Sequence, residues 1–267
     1  DIAVNNAKTS NNHICIYEES KNIEERYKEN IELATQIKEA ILENRIICHY
    51  QPLLNIENSE IYSYESLVRL IDNKGNSLAP YKFLDFSKKI KLYSSITKIV
   101  VDKACKTFQN RDENFSINLS VDDIKDLETV DFILKTIKET NTSRRVTFEI
   151  LESEGIENYQ EVISFINQIK SLGARIAIDD FGTGYSNFEH LLRLDVDYIK
   201  IDGSLIKNIV TDDKHRLIVE TIVSFAKRIG IKTVAEFVSD EKILQTIKEI
   251  GISCAQGYHI GKPETLV

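Results

Sequence analysis

The sequence predicts a (β/α)8 barrel of the TIM type whose first strand runs against the others. Three observations carry this expectation. The C-terminal half repeats one phrase three times: an amphipathic helix, a glycine that stops it, and a short apolar strand. The N-terminal half holds four further strand candidates in a compatible order, with helical segments between the later ones. The gap between the first two candidates, residues 57–60 (ENSE), is too short for a parallel crossover, so those two strands must pair antiparallel.

Taken in order, residues 18–44 (EESKNIEERYKENIELATQIKEAILEN) read as a charged helix ahead of the barrel. Strands follow at 46–56 (IICHYQPLLNI), 61–70 (IYSYESLVRL), 115–120 (FSINLS) and 145–151 (RVTFEIL), with helices over 80–109 in two pieces and over 129–140. The first repeated phrase, NYQEVISFINQIKSLG, sets Val162, Phe165, Ile166, Ile169 and Leu172 at helical spacing and stops at Gly173. The second, HRLIVETIVSFAKRIG, does so through Ile218, Ile222, Phe225, Ala226 and Ile229 and stops at Gly230; the third, DEKILQTIKEIG, stops at Gly251. Glycine just past a helix end takes the left-handed cap without a Cβ penalty. The strands after these glycines are RIAIDD, IKTVAEF and ISCAQGY, and DYIKID lies between the first two. An open doubly wound sheet is the rival, but no GxGxxG opens a helix after the first strand.

Of the 267 residues, 42% are hydrophobic and 28% charged, enough for one large soluble domain or two small ones. A formal charge of −8 is poorly suited to tracking a phosphate backbone, so no DNA or RNA partner is expected. No apolar run approaches the ~18 residues of a membrane span, and no signal peptide opens the chain. Cys15, Cys48, Cys105 and Cys254 form no CxxC pair. A reducing, cytoplasmic setting is expected, either free or as the cytoplasmic part of a membrane-anchored protein.

The stretch RIAIDDFGTGYSN (175–187) ends an apolar run on two adjacent aspartates. Two charges about 5 Å apart repel by roughly 3 kcal/mol at an effective dielectric near 20, so the pair calls for a counter-charge. The C-terminal ends of the other strands offer Glu65, Asn118, Glu149, Lys200, Glu236 and Gln256. In a barrel those ends form the pole that carries chemistry. Oxygen ligands without Cys or clustered His point to Mg2+ or Mn2+. A pair of such ions about 3.5–4 Å apart is the device that cleaves phosphate esters in line. On the second strand Glu65, Leu67 and Arg69 alternate onto one face, which joins a carboxylate to a guanidinium suited to phosphate. Each residue alone has a plainer reading, as helix cap, solvated acid, surface ion pair or turn glycine. Those readings do not explain one polar residue per strand at one pole. His190, His215 and the other histidines are assigned no metal.

These residues together resemble the EAL family of cyclic di-GMP phosphodiesterases. The family's Glu-x-Leu-x-Arg signature matches Glu65-Ser66-Leu67-Val68-Arg69. YQP stands at 50–52, NLS at 118–120, FEILE at 148–152, DDFGTGYSN at 179–187, YIKID at 198–202, VAEF at 234–237 and QGY at 256–258. The resemblance covers about residues 40 to 265, in order and with family-like spacing. It implies metal-dependent hydrolysis of one phosphodiester of cyclic di-GMP to linear pGpG in bacterial second-messenger signalling, with Mg2+ or Mn2+ active and Ca2+ inhibitory. Carried across, Glu65, Asn118, Glu149 and Asp179 resemble a first metal set; Asp180 and Glu236 serve a second metal that shares Asp179. Lys200 resembles the lysine that contacts the attacking water, so Glu65, Lys200 and Glu236 are expected to carry the chemistry. Gln51, Leu67, Arg69, Asp180 and Gln256 are expected to meet substrate. Glu152 resembles the glutamate that steadies the loop 181–187, through which the family couples dimer contacts to catalysis; a homodimer is thus implied. Ser66 stands in the middle of the signature and, by alternation, faces away from the ligand.

Residues 1–20 resemble the last helix and strand of a GGDEF domain. The expected organisation is therefore a GGDEF remnant at 1–20, a linker or capping helix at 21–44 and the phosphodiesterase barrel at 45–267, with other domains of a longer signalling protein as partners. Two readings compete with the enzyme. One is a catalytically silent cyclic di-GMP receptor. The other is a barrel of the enolase type, which expects a lysine pair on the early strands where Glu65 and Arg69 stand.

Overall fold

Among the described residues eight of nine strands close into a barrel, and the parallel ones at its centre are there because their residues can be buried on both faces. The computed structural model describes residues 17–151, 159–182 and 188–266, and all structural statements concern these. The barrel strands are β1 (Ile46–Asn55), β2 (Glu60–Ile71), β4 (Asn114–Leu119), β5 (Val146–Leu151), β6 (Arg175–Phe181), β7 (Tyr198–Ile201), β8 (Lys232–Ala235) and β9 (Cys254–Gln256). They run in the order β1-β9-β8-β7-β6-β5-β4-β2, and a β1–β2 pairing closes the ring. β2 and β4 through β9 are parallel neighbours, while β1 meets β9 antiparallel with Leu53 opposite Gln256. The antiparallel first strand is therefore as the short ENSE connection requires. Phe115, Ile117, Val146, Phe148, Ile150, Ile176, Ile178, Ile199 and Ile201 are all buried, the near-continuous apolar runs of a parallel sheet covered by helices.

By contact density the chain divides into two units, Asp1–Ile46 with Arg69–Tyr93, and Ile47–Val68 with Ser94–Val267. In the first unit, α1 (Tyr17–Leu42) buries Ile37 and Ala40, and the end of β2 pairs antiparallel with β3 (Ser77–Leu78). The turn between them is tied by Asp72 Oδ1, which accepts the N–H groups of Lys74 and Asn76, each at 2.8 Å. A 3-10 turn (Pro80–Lys82) and α2 (Leu84–Lys89) follow, with Phe83 fully buried between them.

In the second unit the helices are α3 (Tyr93–Phe108), α4 (Val121–Lys125), α5 (Leu127–Glu139), α6 (Tyr159–Ser171), α7 (Phe188–Arg193), α8 (Gly203–Ile206), α9 (Asp213–Arg228) and α10 (Glu241–Ile250). α6 buries Val162, Phe165, Ile166 and Ile169 as its spacing predicts. α9 departs from expectation: Ile218 is exposed, and the core is met by Val219, Ile222, Val223 and Ala226, one position on from part of the predicted stripe. The sequence offers two overlapping stripes there, and packing against the sheet selects the smaller side chains. α10 ends on Gly251 at φ +87°, the left-handed cap. The short helices α4, α7 and α8 went unpredicted because fewer than two turns give no periodicity to read.

Inside the barrel, Ala177, Tyr198, Val234 and Cys254 form an apolar layer flanked by Leu53 and Tyr62. The Tyr62 and Tyr198 hydroxyls lie 2.7 Å apart, and Arg175 Nη1 donates to the Tyr62 hydroxyl at 3.0 Å. This plug supports the polar groups in the next layer of the barrel.

Candidate active site

Every strand of the barrel supplies the site or its immediate wall. Lys200, near the end of β7, is 3% exposed, and its Nζ stands 2.7 Å from Glu149, 2.8 Å from Glu236, 3.0 Å from Asp179 and 3.7 Å from Glu65. These acids come from β5, the residue after β8, β6 and β2. Burial alone would lower the Lys200 pKa, but the four surrounding carboxylates outweigh it and hold the ammonium well above its ordinary value.

Glu65 is set apart from the other acids by its neutral donors. Asn118 Nδ2 donates to its Oε1 at 2.7 Å, and Gln256 Nε2 to its Oε2 at 2.6 Å. Burial would raise Glu65, yet Lys200 and these two amides reverse the balance and lower it. Glu149 and Glu236 have no comparable amides. Burial, with Lys200 only partly offsetting it, pushes each up to about 8. Gln51 on β1 completes the wall: its Oε1 is 3.4 Å from Gln256 Nε2, and its own Nε2 donates to the Gly261 carbonyl at 3.1 Å.

Adjacent residues of a strand normally face opposite ways, so Asp179 and Asp180 would ordinarily diverge. The ladder between β6 and β7 slips between Ile178 and Phe181, and Asp180 takes φ +55°. That is a β-bulge with a left-handed residue, a conformation that costs an L side chain roughly 1–2 kcal/mol. It sets the two carboxylates at one mouth, and the Asp180 N–H donates to Asp179 Oδ1 at 3.0 Å. Burial first and the Asp179 charge second push Asp180 up to about 6.

Oxygens of Asp179, Asp180 and Glu236 all lie within 4.8 Å of one another, close enough to share a cation. Five acids here face one ammonium, and three of them are held above the ordinary carboxylate range. A hard divalent ion is the partner that such a donor set fits. In the other predicted set Lys200 bridges Glu65, Glu149 and Asp179, and Asn118 joins through its bond to Glu65.

Thus Gln51, Glu65, Asn118, Glu149, Asp179, Asp180, Lys200, Glu236 and Gln256 are brought together. Glu65 is not at a strand end as its motif order implied: β2 continues six residues past it because its tail pairs with β3. Ser66 is buried and alternates away from Glu65. Leu67 is half-buried on the Glu65 face of β2, and Arg69, two residues on, falls in the first unit. Glu152, most of the 181–187 loop and residues 1–16 lie outside the described residues. His215 pairs with Asp212 at 2.8 Å and His259 with Glu241 at 3.1 Å, neither partner being one of the site acids.

A cleft of about 300 Å³ opens beside the acids, and Gln51, Glu65, Glu236 and Gln256 form part of its wall. Asp202, Lys207, Phe237, Ser239 and Tyr258 also line it, and none of these was singled out from sequence. Phe237, Tyr258 and Asp202 carried a weak signal, each standing one or two positions from a site residue in a quoted motif; Lys207 and Ser239 carried none.

A barrel with this ring of acids around one lysine is the architecture of EAL domains. The family's sequence profile matches residues 34–263, and the chain belongs to the EAL domain family. It is 36% identical over 275 residues to the cyclic di-GMP phosphodiesterase PdeB of Shewanella oneidensis, across 100% of this chain and 32% of PdeB. It is 28% identical over 271 residues to the bifunctional diguanylate cyclase/cyclic di-GMP phosphodiesterase MucR of Pseudomonas aeruginosa, across 98% of this chain and 39% of MucR. The solved complex of the PaMucR phosphodiesterase with c-di-GMP matches at TM-score 0.82 and 27% identity, over 87% of this chain and 97% of that one. The chain spans about a third of the length of these curated relatives.

Proposed function

We propose that this barrel hydrolyses one phosphodiester bond of cyclic di-GMP, giving linear pGpG. The observation that carries the reading is the convergence of Glu65, Glu149, Asp179, Asp180 and Glu236 on Lys200 at one pole. Relatives named as cyclic di-GMP phosphodiesterases supply the substrate.

Asp179, Asp180 and Glu236 would hold one Mg2+ or Mn2+, and Glu65, Asn118, Glu149 and Asp179 another. Bound there, such ions would lower the pKa of water and offset charge on the phosphoryl oxygens. Lys200, fixed by its carboxylates, orients the attacking water with an N–H and adds positive charge at the reacting phosphorus. The water oxygen bonds to phosphorus as the P–O3′ bond breaks. The water proton passes to a surrounding carboxylate and from it to the 3′-oxygen, which leaves as a hydroxyl. Glu65 is pinned by Asn118 and Gln256, so its carboxylate keeps one orientation through this step. By their places in the family motifs, Gln51, Leu67 and Arg69 are the residues proposed to meet base and phosphate. Ca2+, with its longer and looser coordination, is expected to inhibit.

In the same reading Glu152 steadies the loop 181–187, the chain forms a homodimer, and 45–267 is the catalytic barrel of a longer cytoplasmic signalling protein. Residues 21–44 are its linker and 1–20 the end of a GGDEF domain. The helical course of α1 supports the linker, and no helix among the described residues is long and apolar enough to cross a membrane. Incubation with cyclic di-GMP and Mg2+ or Mn2+ should yield pGpG. Binding without turnover, under either ion and in dimer-forming conditions, would instead make the domain a receptor.

A further inference from the structure

Phe237 combines three features that a solvated loop residue has no need of. Its backbone is left-handed at φ +59°, although it is not glycine. The flanking residues impose this: the Glu236 N–H bonds the Ile201 carbonyl at 3.2 Å, and the Val238 N–H bonds the Gln256 carbonyl at 2.9 Å. Between those two anchors the chain has to turn, and the turn sends the Phe237 ring into the cleft beside Glu65 and Glu236.

Phe237 is 53% exposed there, while Val238 next to it is fully buried. Space has been kept for it: a Cβ on Gly203 would stand 2.7 Å from Phe237 Cβ, so only glycine fits at the start of α8. Lys207, one turn further along, places its Nζ 3.8 Å from the ring centroid. A cation against an aromatic ring restricts the ring's motion and fixes its plane. On the same cleft Tyr258 is 68% exposed, and Lys262 Nζ lies 5.5 Å from its ring.

A strained, exposed, cation-backed aromatic ring a few residues from a phosphoryl-transfer site suits a flat, anionic ligand. Nucleobases stack on such rings whatever their identity, because every base has a π-face. We propose that Phe237, held by Lys207, is the platform on which one nucleobase of the cyclic dinucleotide stacks, so that it sets substrate affinity while the acids set turnover. This inference rests on the dinucleotide reading above.

Phe237→Gly removes the ring and suits the left-handed backbone, so the fold should survive; circular dichroism and melting verify it. With Ca2+ in place of the active ion, calorimetry should show cyclic di-GMP binding weakened about 10- to 100-fold, and Phe237→Tyr should restore it. With Mg2+, KM should rise by a similar factor while kcat stays within about twofold. Undiminished binding by Phe237→Gly, or a loss confined to kcat, overturns the platform while leaving the phosphodiesterase intact. A wild type that neither binds nor cleaves cyclic di-GMP overturns both.

Discussion

Lys200 is the residue on which the balance of the site turns. It is a buried ammonium among three buried acids and the half-buried Glu236, and removing it leaves those acids without their counter-charge. Breaking a buried pair in this way costs about 3–5 kcal/mol, toward the low end where the acids can take up protons instead. Lys200→Met should therefore lower the melting temperature in chelator-treated protein, and millimolar Mn2+ should recover most of the loss. It should also slow hydrolysis by roughly 100-fold or more, the usual cost of removing one preorganised donor. A variant that melts as wild type in chelator would remove Lys200 from that role. The cysteines test burial in another way. Burial pushes the thiols of Cys48, Cys105 and Cys254 from 9.0 up to about 11. The folded chain then holds protons that the unfolded chain releases, so their contribution to stability is complete below pH 9 and lost as the pH rises through about 11. At pH 8 only about one thiol in a thousand is thiolate, and alkylation of these three positions in native protein should be far slower than in denaturant. Rapid native labelling at any of them would contradict the buried placement.

At the scale of elements, the barrel mouth is built from backbone irregularities. The bulge in β6 turns Asp179 and Asp180 together, and the left-handed Phe237 lets Glu236 and Val238 keep their separate anchors. Gly257 allows the close approach of the chain after β9. A Cβ there would lie 2.2 Å from the Val238 carbonyl oxygen and 2.3 Å from its nitrogen, and backbone cannot give way as a flexible side chain would. Gly257→Ala should destabilise the fold by about 3 kcal/mol, a fall in melting temperature of roughly 6–12 °C, and weaken activity through Gln256. Unchanged melting would mean that the close packing of Gly257 on Val238 does not exist in solution. These devices explain what was legible in the sequence and what was not. The strands and long helices could be read from apolar spacing, and the site acids from their recurrence at successive strands. The bulge left a trace only as two adjacent aspartates before Gly-Thr-Gly, which posed the question without answering it. The buried stripe of α9 was misplaced because two faces of that helix are apolar and only packing chooses between them. Lys207 was invisible, since nothing in sequence brings a residue of the segment after α8 onto the ring of Phe237.

At the scale of the whole molecule, charge and fold act together. A closed barrel brings to one pole acids that are separated in sequence by as much as the distance from Glu65 to Glu236, and its apolar lower layer keeps them out of water. Three of the five are held above the ordinary carboxylate range, so the site stores electrostatic cost that a divalent cation would relieve. The most direct measurement is Mn2+ binding by equilibrium dialysis or electron paramagnetic resonance, on wild type and on Asp179→Asn, the carboxylate that both proposed ion sets share. Wild type should take up about two ions per chain with saturation, and Asp179→Asn should lose at least about tenfold in affinity together with its hydrolysis of cyclic di-GMP. No saturable uptake by the wild type, or uptake that Asp179→Asn leaves unchanged, would contradict the claim that these acids are gathered to hold metal.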